Sequence, residues 1–123
     1  MTTPIHAPIH APIHAPIHVP ELIAGGWRSL AFEPFRDGIE IASLLTGAPA
    51  LAVLRYQPGA AVPHHSHPRP ETILVLEGAQ SDESGTYPVG TLVVNPAGSA
   101  HSVWSDEGCV VLIQWAEPVV FTA

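Results

Sequence analysis

The sequence predicts an all-β domain of the sandwich or barrel type. Short segments rich in Val, Ile, Leu, Thr and aromatic residues recur at 38–46, 50–57, 71–77, 91–94, 101–105 and 109–115. Turn-forming groups separate them: Gly47-Ala-Pro49, Pro58-Gly59, Glu83-Ser-Gly85, Pro88-Val-Gly90, Asn95-Pro-Ala-Gly98 and Asp106-Glu-Gly108. No window keeps a helical period over three turns, and the chain carries 14 prolines and 10 glycines. Many short strands at regular spacing belong to sandwiches and barrels.

The length of 123 residues suits one domain with a single core. Apolar residues make up 46% and charged residues 12%, the balance of a folding chain. No apolar run reaches the roughly 18 residues of a membrane span, and no basic stretch leads into an apolar one. A soluble, untargeted, cytoplasmic protein is therefore expected. Its four cations, all arginine, face eleven acids for a net charge of −7, which excludes nucleic acid and anionic membrane as partners.

The first element, residues 1–20, is a repeat: Pro4-Ile-His6-Ala, Pro8-Ile-His10-Ala, Pro12-Ile-His14-Ala, Pro16-Ile-His18-Val. Proline at every fourth position forbids a helix but not an edge strand, because the odd positions keep N–H groups on one side. This arm is expected to be a polyproline-like tail or a strand added to a partner subunit. Its histidines lie about 13 Å apart when extended, too far to share one ion, so gathering of metal by the tract is the lesser expectation. The barrel itself is expected over residues 21–123. Within it, the single cysteine, Cys109, lies in the apolar run Val110-Val-Leu-Ile113 and is read as a core thiol. Trp27, Phe32, Phe35, Trp104 and Trp115 are read as core or interface residues.

Chemistry concentrates at residues 64–71. His65 and His67 stand two apart, hence on one face of a strand, with His64 on the other. Glu71 follows at an even offset beyond the Pro68-Arg-Pro70 bend, and Ile73 and Val75 continue its parity as pocket-lining residues together with Val103. His101 opens a later strand after the Pro96/Gly98 corner. Imidazoles with a carboxylate make a site of middle softness, suited to divalent iron, zinc, manganese, nickel or copper.

These residues resemble a known family. Gly59-(x)5-His65-x-His67-(x)3-Glu71-(x)6-Gly78 and Gly90-(x)5-Pro96-x-Gly98-(x)2-His101 are similar to the two motifs of the cupin superfamily, with Ser105 where the general pattern ends in asparagine. The resemblance implies a double-stranded β-helix, or jelly-roll barrel, with His65, His67, Glu71 and His101 binding one transition-metal ion per chain. Leu54-Arg-Tyr-Gln-Pro-Gly59, Thr72-Ile-Leu-Val-Leu-Glu-Gly78, Asp82-Glu-Ser-Gly-Thr-Tyr87 and Ser105-Asp-Glu-Gly-Cys109 further resemble the ChrR-type cupin-like domain over roughly residues 22–116.

Two functions follow as expectations. The first is a metal-dependent oxygenase-type enzyme acting on a small ketone- or enol-like substrate, with Glu71 as the candidate catalytic base. The second is a zinc-binding, ChrR-like sensor or regulatory module without catalysis. The resemblance to small cupins, with the pairing edge of the arm, also implies a homodimer.

Overall fold

The computed structural model describes residues 15–122. The first fourteen residues, and with them most of the repeat arm and its pairing edge, lie outside the described part. Residues 15–19 are not in a strand.

Ten strands form one curled, antiparallel sheet: β1 Glu33–Arg36, β2 Ile39–Leu45, β3 Ala50–Tyr56, β4 Ala61–Ser66, β5 Glu71–Asp82, β6 Gly85–Pro88, β7 Leu92–Asn95, β8 Ala100–Trp104, β9 Cys109–Trp115 and β10 Val120–Phe121. Their spatial order is β1-β2-β3-β9-β5-β8-β4-β10, with β6 and β7 also paired to β5. Among the described residues a single 3-10 turn, Gly26–Ser29, is the only helical element. The all-β expectation holds, and the curled sheet is a jelly-roll barrel. Sequence pattern alone placed β2, β3, β7, β8 and β9 to within a few residues. It stopped β5 five residues short and left β1, β6 and β10 as turn or irregular chain.

Strands β3, β5 and β9 read as nearly continuous apolar runs because both of their faces are covered. One face lines the barrel with Ile39, Ala52, Leu54, Tyr56, Ile73, Val75, Val103, Cys109, Val111 and Ile113. The other carries Ala42, Val53, Leu76 and Val110, and the segment before β1 folds over it with Trp27 and Leu30 buried and Val19, Leu22 and Phe32 packed alongside. A strand buried on both sides loses the alternation that a one-sided strand keeps. Cys109 belongs to the inner cluster, where burial pushes its thiol up to about 11 against a hydrogen bond with Ser105.

Among the described residues the ladders slip register at four points, one of them between Ser43 and Leu45 in β2, and the other three bear on the site. In β5 the pairing with β9 slips between Val75 and Glu77, so the inward parity changes from Glu71, Ile73 and Val75 to Gly78, Gln80 and Asp82. In β4 the pairing with β8 slips between Val62 and His65, and in β1 the pairing with β2 slips between Pro34 and Arg36. Gly78, at the second β5 phase, has φ +70°, and a Cβ there would overlap the Gly108 carbonyl oxygen. Only glycine fits such an approach of two backbones. Ser105 is fully buried and donates to the Ala79 carbonyl at 2.6 Å, tying the β8–β9 turn to β5 with a hydroxyl in place of an amide.

Candidate metal centre

His65 and His101 face each other across the β4–β8 ladder. His67 lies one pleat beyond His65, where its N–H donates to the Ser99 carbonyl at 2.9 Å and its carbonyl accepts from Gly98 at 2.8 Å. These two bonds clamp the end of β4 against the corner before β8. The result is a cluster in which one ligating nitrogen from each of His65, His67 and His101 lies within 4.8 Å of the others. All three are buried, at 4%, 1% and 7% exposure.

The outer ring nitrogens fix how the rings present themselves. His65 Nδ1 lies 2.8 Å from the Pro63 carbonyl oxygen, which can only accept, so Nδ1 carries the proton. His67 Nδ1 lies 3.0 Å from Ser99 Oγ, whose own hydrogen is donated to the Pro96 carbonyl at 2.6 Å; the hydroxyl therefore accepts from His67. His101 Nδ1 lies 3.0 Å from the Asp82 carboxylate and donates to it. Burial, helped by the neighbouring imidazoles and opposed by the Pro63 bond, holds His65 below the ordinary range of a histidine, which favours its neutral form. Each ring thus turns an Nε2 lone pair inward. His67 Nε2 and His101 Nε2 are buried with no hydrogen-bond partner. Buried acceptors left without a donor are costly unless something else takes the lone pairs, and a cation does. The three histidines therefore fit a divalent transition metal, with the Nδ1 partners serving the orienting role common around ligating imidazoles.

Glu71 is also buried, and its Oε1 lies 3.3 Å from His67 Nε2. Asn95 Nδ2 donates to the same oxygen at 3.1 Å across the β5–β7 ladder. The carboxylate stands beside the triad on the cavity side. His64 points away, exposed, with its ring 3.2 Å from Thr122 Oγ1.

A cavity of about 380 Å³ opens beside His65. His65 and Glu71 are its residues from the candidate site, Leu54, Ile73, Val103 and Ile113 give it apolar walls, and Phe35, Arg36 and Phe121 also line it. Ile73 and Val103 are in this lining, whereas Val75 is in the barrel core outside it, four residues along β5 from Glu71 and next to the bulge. Trp115 and Phe35 line the cavity as well, where the sequence read them as core or interface. The pattern-based search also missed Asp82, Asn95 and Ser99. Asn95 and Ser99 sit in a stretch that looks like an ordinary turn, and Asp82 reaches inward only through the change of phase in β5. Asp82 holds its position firmly: burial raises its carboxyl, but donors on Tyr87, His101 and the Ser84 backbone outweigh burial and bring it below the usual carboxylate range. Tyr87 Oη lies 2.7 Å and Ser84 N 2.8 Å from Asp82 Oδ1.

Residues 23–117 match the family model of the ChrR cupin-like domain. The anti-sigma-E factor ChrR of Cereibacter sphaeroides is 33% identical over 100 residues, an alignment that takes in 79% of this chain and 45% of ChrR. This chain accordingly spans less than half the length of that relative. The Rhodobacter sphaeroides SigE–ChrR complex contains a similar fold at 25% identity and a TM-score of 0.70, covering 82% of this chain and 57% of that one. An acetylacetone dioxygenase from Acinetobacter johnsonii matches at 16% identity and a TM-score of 0.70, covering 75% of this chain and 72% of that one, and so shares the fold. With a jelly-roll barrel, an inward-facing histidine triad and a family match over most of its length, the chain belongs to the ChrR cupin-like domain family.

Proposed function

We propose that the domain binds one divalent transition metal through His65, His67, His101 and Glu71, and uses it as an oxygenase-type enzyme on a small ketone- or enol-like molecule. The observation that carries this is the cavity: His65 and Glu71 are part of its lining, so a molecule inside it can reach two of the proposed ligands. A closed structural site has no need of such access. When bound, the ion supplies a Lewis acid and a template for substrate and oxygen.

The chain's own contributions follow from the geometry. The three Nε2 atoms and a Glu71 carboxylate oxygen provide the ligands. Asn95 restrains Glu71 Oε1 at 3.1 Å and leaves the other oxygen free. That oxygen is positioned to take the acidic proton of an enolisable substrate lying in the cavity. Leu54, Ile73, Val103 and Ile113 exclude water and strengthen each charge interaction within.

A second reading is favoured by the 33% identity with an anti-sigma factor. In it the same site holds zinc, and the domain is a regulatory module with a sigma factor as the class of partner. Metal content and oxygen uptake decide between the two. The measurement uses the full chain with His6, His10, His14 and His18 changed to glutamine, so that ions on the repeat do not count. About one redox-active ion per chain, lost in Glu71→Ala and His101→Ala, with oxygen uptake on adding an enolisable diketone, supports the enzyme. About one zinc with no uptake transfers the case to the regulatory module. No metal after reconstitution refutes both.

A further inference from the structure

Beyond the metal ligands, the cavity holds one feature that a purely apolar substrate would not use. The chain has four basic residues and no lysine. Two of them are neutralised: Arg28 pairs with Glu77 and Arg55 with Glu40, each at 2.7 Å. Arg36 pairs with no carboxylate among the described residues and instead lines the cavity. It is there because of the β1 bulge, which leaves Phe35 unpaired and sets Arg36 opposite Ile39, an inward-facing core residue. Without the slip, the parity of β1 would put Phe35 opposite Ile39 and turn Arg36 to the outside.

The guanidinium lies over the Phe121 ring, 4.5 Å from its centroid, and Phe121 in turn lies edge-on to His65 at 5.8 Å. A guanidinium stacked on a ring keeps its N–H edge available for a planar, two-oxygen partner. The buried Tyr56 hydroxyl also faces the cavity; it accepts from Gln80 Nε2 at 3.5 Å, which leaves its own hydrogen to give. Glu71 is the one acidic side chain of the lining; its Oε1 accepts from Asn95 Nδ2, and it makes no ion pair with Arg36. The cavity is therefore mostly apolar, with a cation that pairs with no carboxylate and a spare donor on its walls.

We propose that this cavity selects a small organic monoanion: an apolar body along Leu54, Ile73 and Val103, with a carboxylate held by Arg36. That the occupant is the substrate rests on the function proposed above. The charge preference itself needs no metal.

The test compares phenylacetate and 4-phenylbutyrate with their neutral amides by calorimetry on the full chain, metal-free and metal-loaded, in the parent and in Arg36→Gln and Arg36→Lys. The expected result is a preference for acid over amide of about 10- to 100-fold in the metal-free protein. Arg36→Gln abolishes it, and Arg36→Lys, which keeps the charge but not the planar fork, keeps only a smaller part. Equal binding of acid and amide, a preference that survives Arg36→Gln, or no binding of either up to about 10 mM overturns the proposal. Metal content measured on the same samples keeps the two claims apart. Absent metal with an intact charge preference sinks the metal-centred function alone, and bound metal without the preference sinks the anion site alone.

Discussion

Replacing Asp82 with asparagine should cost the triad more than deleting its carboxylate. Asp82 Oδ1 receives two donors, the Tyr87 hydroxyl at 2.7 Å and the Ser84 N–H at 2.8 Å, while Oδ2 receives His101 Nδ1 at 3.0 Å. An asparagine amide has one accepting end. Keeping that end on Tyr87 and Ser84 preserves two hydrogen bonds. Reversing it sets two donors against an NH₂ group, at roughly 1 kcal/mol or more for each bond lost. The amide nitrogen must therefore face His101 Nδ1, which then has to accept. The ring proton moves to Nε2 and points into the buried cluster, so the ligating lone pair is gone. Binding metal requires reversing the amide, which costs about 2–3 kcal/mol, or about 100-fold in affinity. In Asp82→Ala the imidazole chooses its tautomer freely, and loss of the orienting partner costs about 10-fold. Titration against a competing chelator gives the affinities, and long-range ¹⁵N–¹H correlation spectra of His101 report the tautomer directly. An asparagine variant that binds metal as tightly as the alanine variant, or that keeps the proton on Nδ1, would refute the reasoning.

Further outcomes are expected elsewhere in the fold. Gly78→Ala should lower stability by about 2 kcal/mol or more, read as a fall in thermal midpoint, since its Cβ meets the Gly108 carbonyl at φ +70°. Trp27→Ala should cost about 3–5 kcal/mol in denaturant titrations, because the 4% exposed indole seals the outer face of the sheet. A surface-like cost would show the segment before β1 to be dispensable. Cys109, with its thiol pushed up to about 11 from an ordinary 9.0, should alkylate at pH 8 about 100-fold more slowly than in the unfolded chain. Its contribution to stability is complete below pH 9 and is lost as the pH rises through about 11, because between those values only the unfolded chain gives up the proton. Rapid labelling of the native protein would mean that the thiol is reachable and the core reading wrong.

The pairing of His65 with His67 on one face was legible in the sequence because it depends on short-range rules. Two residues apart on a strand means one face, and His65 and His67 obey this through the clamp at Ser99 and Gly98. The all-β class was legible for the same reason, since each strand announces itself locally by composition and the turn that ends it. What was not legible depends on pairing between strands far apart in the chain. Asp82 looks like the start of an acidic turn with Glu83, and Arg36 looks like one cation beside Asp37. Nothing within either segment states which face it turns. β10 is two residues long, exposed on both, and exists because Ser66 and His65 offer it an edge.

The bulges explain why these gaps fall where they do. Three of the four register slips redirect a side chain that the candidate site uses. The slip in β4 brings Val62 and His65 to the same inward face. The slip in β5 turns Gln80 and Asp82 inward on a strand whose earlier half faces in at Glu71 and Ile73. The slip in β1 places Arg36 on the inside. A regular ladder would present one fixed parity along each strand, and these side chains would point into solvent or into the outer cluster. An extra residue leaves a ladder position unpaired, a local loss that persists where a redirected side chain gains more than the pairing gave up. Deleting Phe35 is then a direct probe of what the bulge does. Arg36 would follow Pro34 and stay opposite Ile39, so the ladder with β2 becomes regular while the guanidinium still faces inward. The fold, the metal affinity and the acid-over-amide selectivity should all be kept. Selectivity lost in that variant would refute this parity argument, because the same pairing partner would then no longer set the face on which Arg36 lies.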